Sequence, residues 1–301
     1  MIDLAGSLDL LGLPFVQNAL LAGAVLGVLA GLLGPLAVGR GMSFAVHGTS
    51  ELTFTGAAAA LLFAGIGGVS FGALGAAIAA AILFGLFGMR ERERDSAIGV
   101  VLSFGLGLGV LFLALYPGRA ANKFGLLIGQ IVGVDRSDLS ILIGCGIGVV
   151  LVLAVVYRPL MFATFDPVMA TARGVPVRLL SVLFAVLIGV TTALGVQIVG
   201  ALLVLALMIT PAAAATLVSS NPVVVTVLAT VFAEVSILGG IVLSLGPGLP
   251  VSPYVTSIAF AIYLGCRALA AIRTRLPHGR LPRGRLPRAA AQALTPAPDS
   301  R

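Results

Sequence analysis

The chain has 301 residues, 59% of them hydrophobic and 10% charged, with a mean hydropathy of +1.16 and a formal net charge of +7. Soluble domains carry roughly 45–50% apolar and about 25% charged residues, so a water-soluble globular protein is excluded. Only two cysteines are present, which excludes a disulfide scaffold; Cys145 and Cys266 lie in long apolar runs, where a thiol reads as a small buried hydrophobe. The composition is that of a polytopic membrane protein.

A crossing helix needs about 20 mostly apolar residues. Runs of that kind lie near 16–39, 43–63, 65–88, 96–116, 138–157, 178–195, 197–218, 222–245 and 253–272. The fold class is therefore all-α, a transmembrane bundle of about nine spans. Eight is the alternative, because runs abut around Gly41, Ala64 and Val196. The stretch 124–134 is too short to cross and reads as re-entrant or interfacial. Gly56, Gly65, Gly67, Gly68, Gly72 and Gly75 are expected to let helices approach closely.

Residues 1–272 form one transmembrane domain. Residues 273–301, with LPHGR, LPRGR and LPR near-repeats, form a basic and disordered cytoplasmic tail that anchors topology or touches anionic lipid. With nine spans and the N-terminus outside, the inner segments and helix ends collect fifteen arginines, Arg40 among them. Only Arg119, Lys123 and Arg136 fall outside. That asymmetry fixes the orientation, with the C-terminus cytoplasmic, and accounts for the net charge without a nucleic-acid surface. Lys123 is the only lysine and follows GRAAN, so no GxxxxGK[ST] phosphate loop exists and any ATP drive must come from another subunit.

A charge at the bilayer centre costs about 2.5–3.5 kcal/mol even on insertion scales, so ionisable residues inside spans are informative. His47 and Glu51 stand i, i+4 on the second span, with Ser43, Ser50 and Thr55 adding hydroxyls; Glu234 stands near the middle of the eighth. Imidazole with carboxylate is a ligand set for a divalent transition metal. The competing reading is a neutralised pair that only holds helices together, and Glu234 alone is equally compatible with a structural carboxyl. The cytoplasmic loop 158–177 contains Asp166-Pro167, a helix-start signal, then MATAR ended by Gly174 and Pro176, which predicts a short helix at the inner face.

Several segments together resemble a known family. RGMSFAVHGTSELTFTGAA at 40–58, ERDSAIGVVLSFGLGLGVLF at 93–112, LLIGQIVGVDRSDL at 126–139, FDPVMATARGVPV at 165–177 and GVQIVGALLVLALMITPAAAATLV at 195–218 are similar, in order and spacing, to the permease subunits of ATP-binding-cassette importers for zinc, manganese and related metals. The resemblance implies two permease copies (a homodimer), two cytoplasmic ATPases that bind the ATP, and an extracytoplasmic metal-binding protein docking on 117–137 and 246–252, all in a bacterial plasma membrane. It marks Phe165, Asp166, Ala170 and Gly174 as the element that docks into the ATPase. One departure stands out. The family pattern places an Asp and, four residues on, a His; here His47 occupies the Asp position and Glu51 the His position, so the pair survives in reversed order. That coincidence favours metal contact by His47 and Glu51 during alternating access, with Glu234 as a further candidate on the metal pathway.

The transported ion is expected to be zinc first and manganese second, as substrate and not as a permanently bound cofactor. The alternatives are a proton-coupled secondary carrier and a permease for a metal chelate or siderophore. An enzyme is not expected, since neither His-rich cluster pairs nor a nucleophile motif appears.

Overall fold

In lipid every backbone N–H and C=O must find an internal partner, and helices alone achieve this within one segment. The computed structural model describes residues 12–86, 91–118, 136–245 and 250–275. Ten α-helices follow one another there: α1 Pro14–Gly39, α2 Ser43–Ala64, α3 Val69–Leu86, α4 Glu91–Leu115, α5 Arg136–Phe165, α6 Pro167–Ala172, α7 Val177–Val199, α8 Ala201–Val218, α9 Pro222–Leu245 and α10 Val251–Arg275. The fold class is as read from the sequence: all helices, with no strand among the described residues.

Nine of the ten helices have eighteen residues or more, and they coincide with the nine predicted runs. Seven are long and apolar enough to cross a membrane by length and composition. The other two are α2, which carries the polar residues singled out above, and α8, whose apolar stretch is short. The expected re-entrant piece 124–134, most of the two outer loops and the tail from 276 onward lie outside the described residues.

The joints differ from expectation in three places. The break between α7 and α8 falls at Gly200, not near Val196, because Gly200 takes φ 85, a left-handed value that ends α7 without the steric penalty of a side chain. The loop expected at 158–177 is mostly helix. α5 runs through Pro159 to Phe165, so only Asp166 and 173–176 interrupt helical backbone. α4 likewise starts at Glu91, inside the expected inner loop.

Glycine sets the approach of helix to helix, as in membrane bundles generally. A methyl built on Gly56 would overlap Gly72 O and Ala76 Cβ, so α2 and α3 meet backbone to backbone. Gly68 is similarly tight, with a methyl 2.6 Å from Ala64 Cβ. Gly65, Gly67 and Gly75, expected to do the same, face open space within the chain. α7 lies along α3, where a methyl on Gly189 would stand 2.9 Å from Ala77 O. α4 closes on α2 through Gly105 and Gly109, the latter's methyl 2.8 Å from Phe54 Cε1. On the other side α1 seats on α9, with Gly23 against Ile241 and Gly27 against Glu234. Cys266 is buried and Cys145 half-buried, both free thiols.

Candidate functional site

α2, which carries His47 and Glu51, packs against α3, α4, α7 and α8. Its turn from α1 is closed by backbone bonds characteristic of a Schellman end: Met42 N donates to Ala37 O at 2.8 Å and Gly41 N to Val38 O at 3.1 Å, with Gly41 at φ 62. The first turns of α2 then carry His47 and Glu51 one turn apart, as the spacing predicts.

Glu51 is 4% exposed, and the imidazole of His47 is its electrostatic neighbour. The Phe44 ring lies 6.4 Å from the imidazole, centroid to centroid. His47 Nδ1 is buried with no hydrogen-bond partner among the described residues. A buried nitrogen left open in this way is costly unless something occupies it. Together the two side chains present nitrogen and oxygen donors on one face, a partial coordination set for a divalent cation.

The hydroxyls around the pair are committed elsewhere. Thr49 Oγ1 donates to Ala45 O at 2.8 Å and Thr53 Oγ1 to Thr49 O at 2.6 Å, both within α2. Thr55 Oγ1 lies 2.9 Å from Glu51 O and 2.7 Å from Gly105 O, which ties α2 to α4. Ser50 Oγ donates to Ala201 O at 2.8 Å, fixing α2 to the first residue of α8. Ser252 Oγ reaches Val199 O at 3.3 Å on the other side of the same joint. The α7–α8 break at Gly200 is thus buried and clamped beside Glu51 by two serines.

Glu234 does not join the pair. Its carboxylate sits against Gly27 of α1, with Oε1 buried and unpartnered among the described residues. No group of three or more His, Cys, Asp or Glu able to hold a metal ion occurs among the described residues; His47 and Glu51 stand together on α2, and the Glu234 carboxylate stands apart at the α1–α9 seam.

The predicted short helix is present as α6. Asp166 caps it, Oδ1 accepting from Met169 N at 2.8 Å. Gly174 at φ 80 ends it, with Val175 N donating to Ala170 O at 3.0 Å. Ala170 is fully buried, while Phe165, Val168 and Met169 are exposed, which leaves an apolar rim around a rigid short helix. Arg173 lies over the Phe162 ring at 5.8 Å.

One residue of consequence was counted in the sequence only as a topology charge. Arg40 is partly buried: Nε donates to Thr164 Oγ1 at 2.8 Å, Nη1 to Ser181 Oγ at 3.3 Å and Nη2 to Leu160 O at 3.3 Å. Its place between two glycines, where two apolar runs abut, was the available signal.

The model of the ABC 3 transport family matches residues 12–270. The chain is 33% identical over 239 residues to the manganese transport system membrane protein MntC of Halalkalibacterium halodurans, covering 78% of this chain and 80% of that protein. It is also 33% identical over 210 residues to the manganese import system permease protein ScaB of Streptococcus parasanguinis, covering 69% and 73%. Among solved structures, PsaBC from Streptococcus pneumoniae in complex with Fab superposes at a TM-score of 0.77 with 26% identity, over 87% of this chain and 94% of that one. An inward-facing putative metal-chelate type ABC transporter superposes at 0.65 with 15% identity, a likeness of fold alone. The match spans all ten helices nearly end to end, and this multi-pass protein of the bacterial inner membrane belongs to the ABC 3 transport family.

Proposed function

We propose that this chain is the ion-conducting permease of an ATP-binding-cassette importer for a divalent transition metal, with manganese ahead of zinc. The observation that carries the proposal is the His47–Glu51 pair on α2, a helix packed against four others, with His47 Nδ1 buried and unpartnered among the described residues. The placing of manganese first rests on the names of the relatives and reverses the order expected from the ligand types. The carboxylate suits the harder ion, and the imidazole keeps zinc in contention. Two protein ligands form an open site, as passage requires, because a closed four-ligand set would hold the ion.

All nine long helices cross the membrane in this reading, with the N-terminus outside. The charge count supports that arrangement, and so does the contact between Arg40 and the α5–α7 corner, two regions that the count assigns independently to the inner side. The ATP site belongs to a separate ATPase, which docks on α6 through Phe165, while Asp166 and Gly174 set the ends of that helix and the buried Ala170 seats it on this chain. The exposed Phe165, Val168 and Met169 supply the apolar contact. A second copy of the chain and an extracytoplasmic metal-binding protein complete the importer. Glu234 is assigned to the α1–α9 seam and not to the ion's first contact. A chelate permease is less well supported, since the likeness that suggests it is one of fold alone.

The test is uptake of manganese and zinc in cells lacking their own importers, supplied with this chain, its ATPase and its binding protein. Uptake is expected with the wild type, lost in His47→Ala and Glu51→Ala with assembly intact, and retained in Glu234→Gln. Uptake unaffected by both pair variants would leave the pair as helix glue. Absence of uptake of either ion with the full complex present would overturn the substrate.

A further inference from the structure

A topology-setting arginine works best in water, yet Arg40 is drawn into the protein against three neutral oxygens. Desolvating a guanidinium for neutral acceptors is unfavourable unless the bonds are well placed. They are well placed here. Thr164 Oγ1 donates its own proton to Leu160 O at 2.7 Å, which leaves a lone pair aimed at Arg40 Nε. The guanidinium also lies over the Phe184 ring, 5.3 Å from its centroid.

The three acceptors have a common location. Leu160 and Thr164 belong to the last turns of α5, and Ser181 to the early turns of α7. These are the two flanks of α6. α6 is itself bonded into both: Asp166 N donates to Phe162 O at 3.0 Å on one side, and Ala170 O receives Val175 N at 3.0 Å just before α7. Arg40 therefore bridges the mounting of α6 on both sides. On its own chain it sits in the closed α1–α2 turn, three residues before α2 begins. His47 is seven positions on and one turn into α2, about 6 Å along the helix from Ser43 at 1.5 Å per residue.

Resting on the functional reading above, we propose that Arg40 is a positioning residue for transport: it transmits displacement of the α5–α6–α7 corner to α2, so that movement of the ATPase at α6 shifts the His47–Glu51 pair. The fork geometry is essential, because three donors pointing to α5 and α7 hold both flanks at once. A lysine ammonium reaches fewer of these oxygens and lacks the planar face for Phe184.

The test uses the complete importer reconstituted in proteoliposomes with manganese-loaded binding protein. ATP hydrolysis and manganese import are measured together, so that the readout is ions imported per ATP. Arg40→Ala is expected to assemble with basal hydrolysis within about twofold of wild type, while ions per ATP fall about tenfold, a coupling loss of ordinary allosteric size. Arg40→Lys should fall between the two. Thr164→Val removes one acceptor without touching the arginine and should lower the same ratio; combined with Arg40→Ala it should add nothing further. Should Arg40→Ala prevent assembly, Thr164→Val alone decides. An unchanged ratio in Arg40→Ala, or in Thr164→Val when only that variant assembles, overturns the role of Arg40 while leaving the importer intact. A wild-type complex that imports neither manganese nor zinc overturns the functional reading, and this inference with it.

Discussion

The close approach of α2 and α3 is the packing feature on which the candidate pair depends most directly, and Gly56→Ala tests it. A methyl at this position overlaps the backbone oxygen of Gly72 and the Cβ of Ala76, and stands 3.2 Å from Gly72 C. Two of these three atoms are backbone, so no rotamer change relieves the overlap. The helices must part by about 1 Å, a gap that forfeits a quarter to a half of the dispersion energy of the contacts along the seam. Overpacking of this kind costs about 1–3 kcal/mol. The control is Gly75→Ala, on the same helix pair but facing open space. There the only effect is helix propensity, which favours alanine by about 0.8–1.0 kcal/mol. The assay is thermal unfolding of both variants and wild type in one detergent, with uptake measured in parallel. Gly56→Ala is expected to melt lower and import less, since α2 carries His47 and Glu51; Gly75→Ala is expected to melt at or above wild type. Equal melting of Gly56→Ala and wild type would refute the backbone-contact argument. So would a loss in Gly75→Ala as large as in Gly56→Ala, because the cost would then not come from the seam.

Three further outcomes are expected. Ser50→Ala removes the hydroxyl that holds the α7–α8 joint to α2, at a cost of about 0.6 kcal/mol, typical of a membrane hydrogen bond; equilibrium unfolding in mixed micelles measures it. Gly174→Ala meets no atom but must hold φ 80, costing about 1–2 kcal/mol for a left-handed alanine; it should weaken retention of the ATPase in a pull-down without altering manganese binding. Asp166→Ala loses the N-cap of α6, worth about 0.5–2 kcal/mol, whereas Asp166→Asn keeps a side-chain acceptor. Uptake should therefore fall in the alanine variant and stay near wild type in the asparagine variant. Equal loss in both would shift the role of Asp166 from capping to charge.

How much was legible in the sequence follows from which forces are local. The nine long helices could be read off because spanning length and apolarity are properties of contiguous residues. The short helix α6 was readable for the same reason, its start and stop set by Asp166-Pro167 and Gly174 within nine residues. The i, i+4 spacing likewise put His47 and Glu51 on one face without any knowledge of their neighbours. Continuous helix through Pro159 was not readable, because a proline that local preference treats as a break is tolerated where the surrounding bundle satisfies the backbone. Nor was the sorting of the glycines: Gly56, Gly68 and Gly72 pack while Gly65, Gly67 and Gly75 do not, since each depends on which helix lies opposite. The separation of Glu234 from the pair, and the burial of Arg40 among oxygens more than a hundred residues away, are likewise matters of long-range placement. Contiguous residues set the helices, their apolar character and the chemistry available on each. Which of those chemistries meet was settled by long-range packing, because contact between distant segments follows from the summed packing of all the helices and from no residue pattern within one of them.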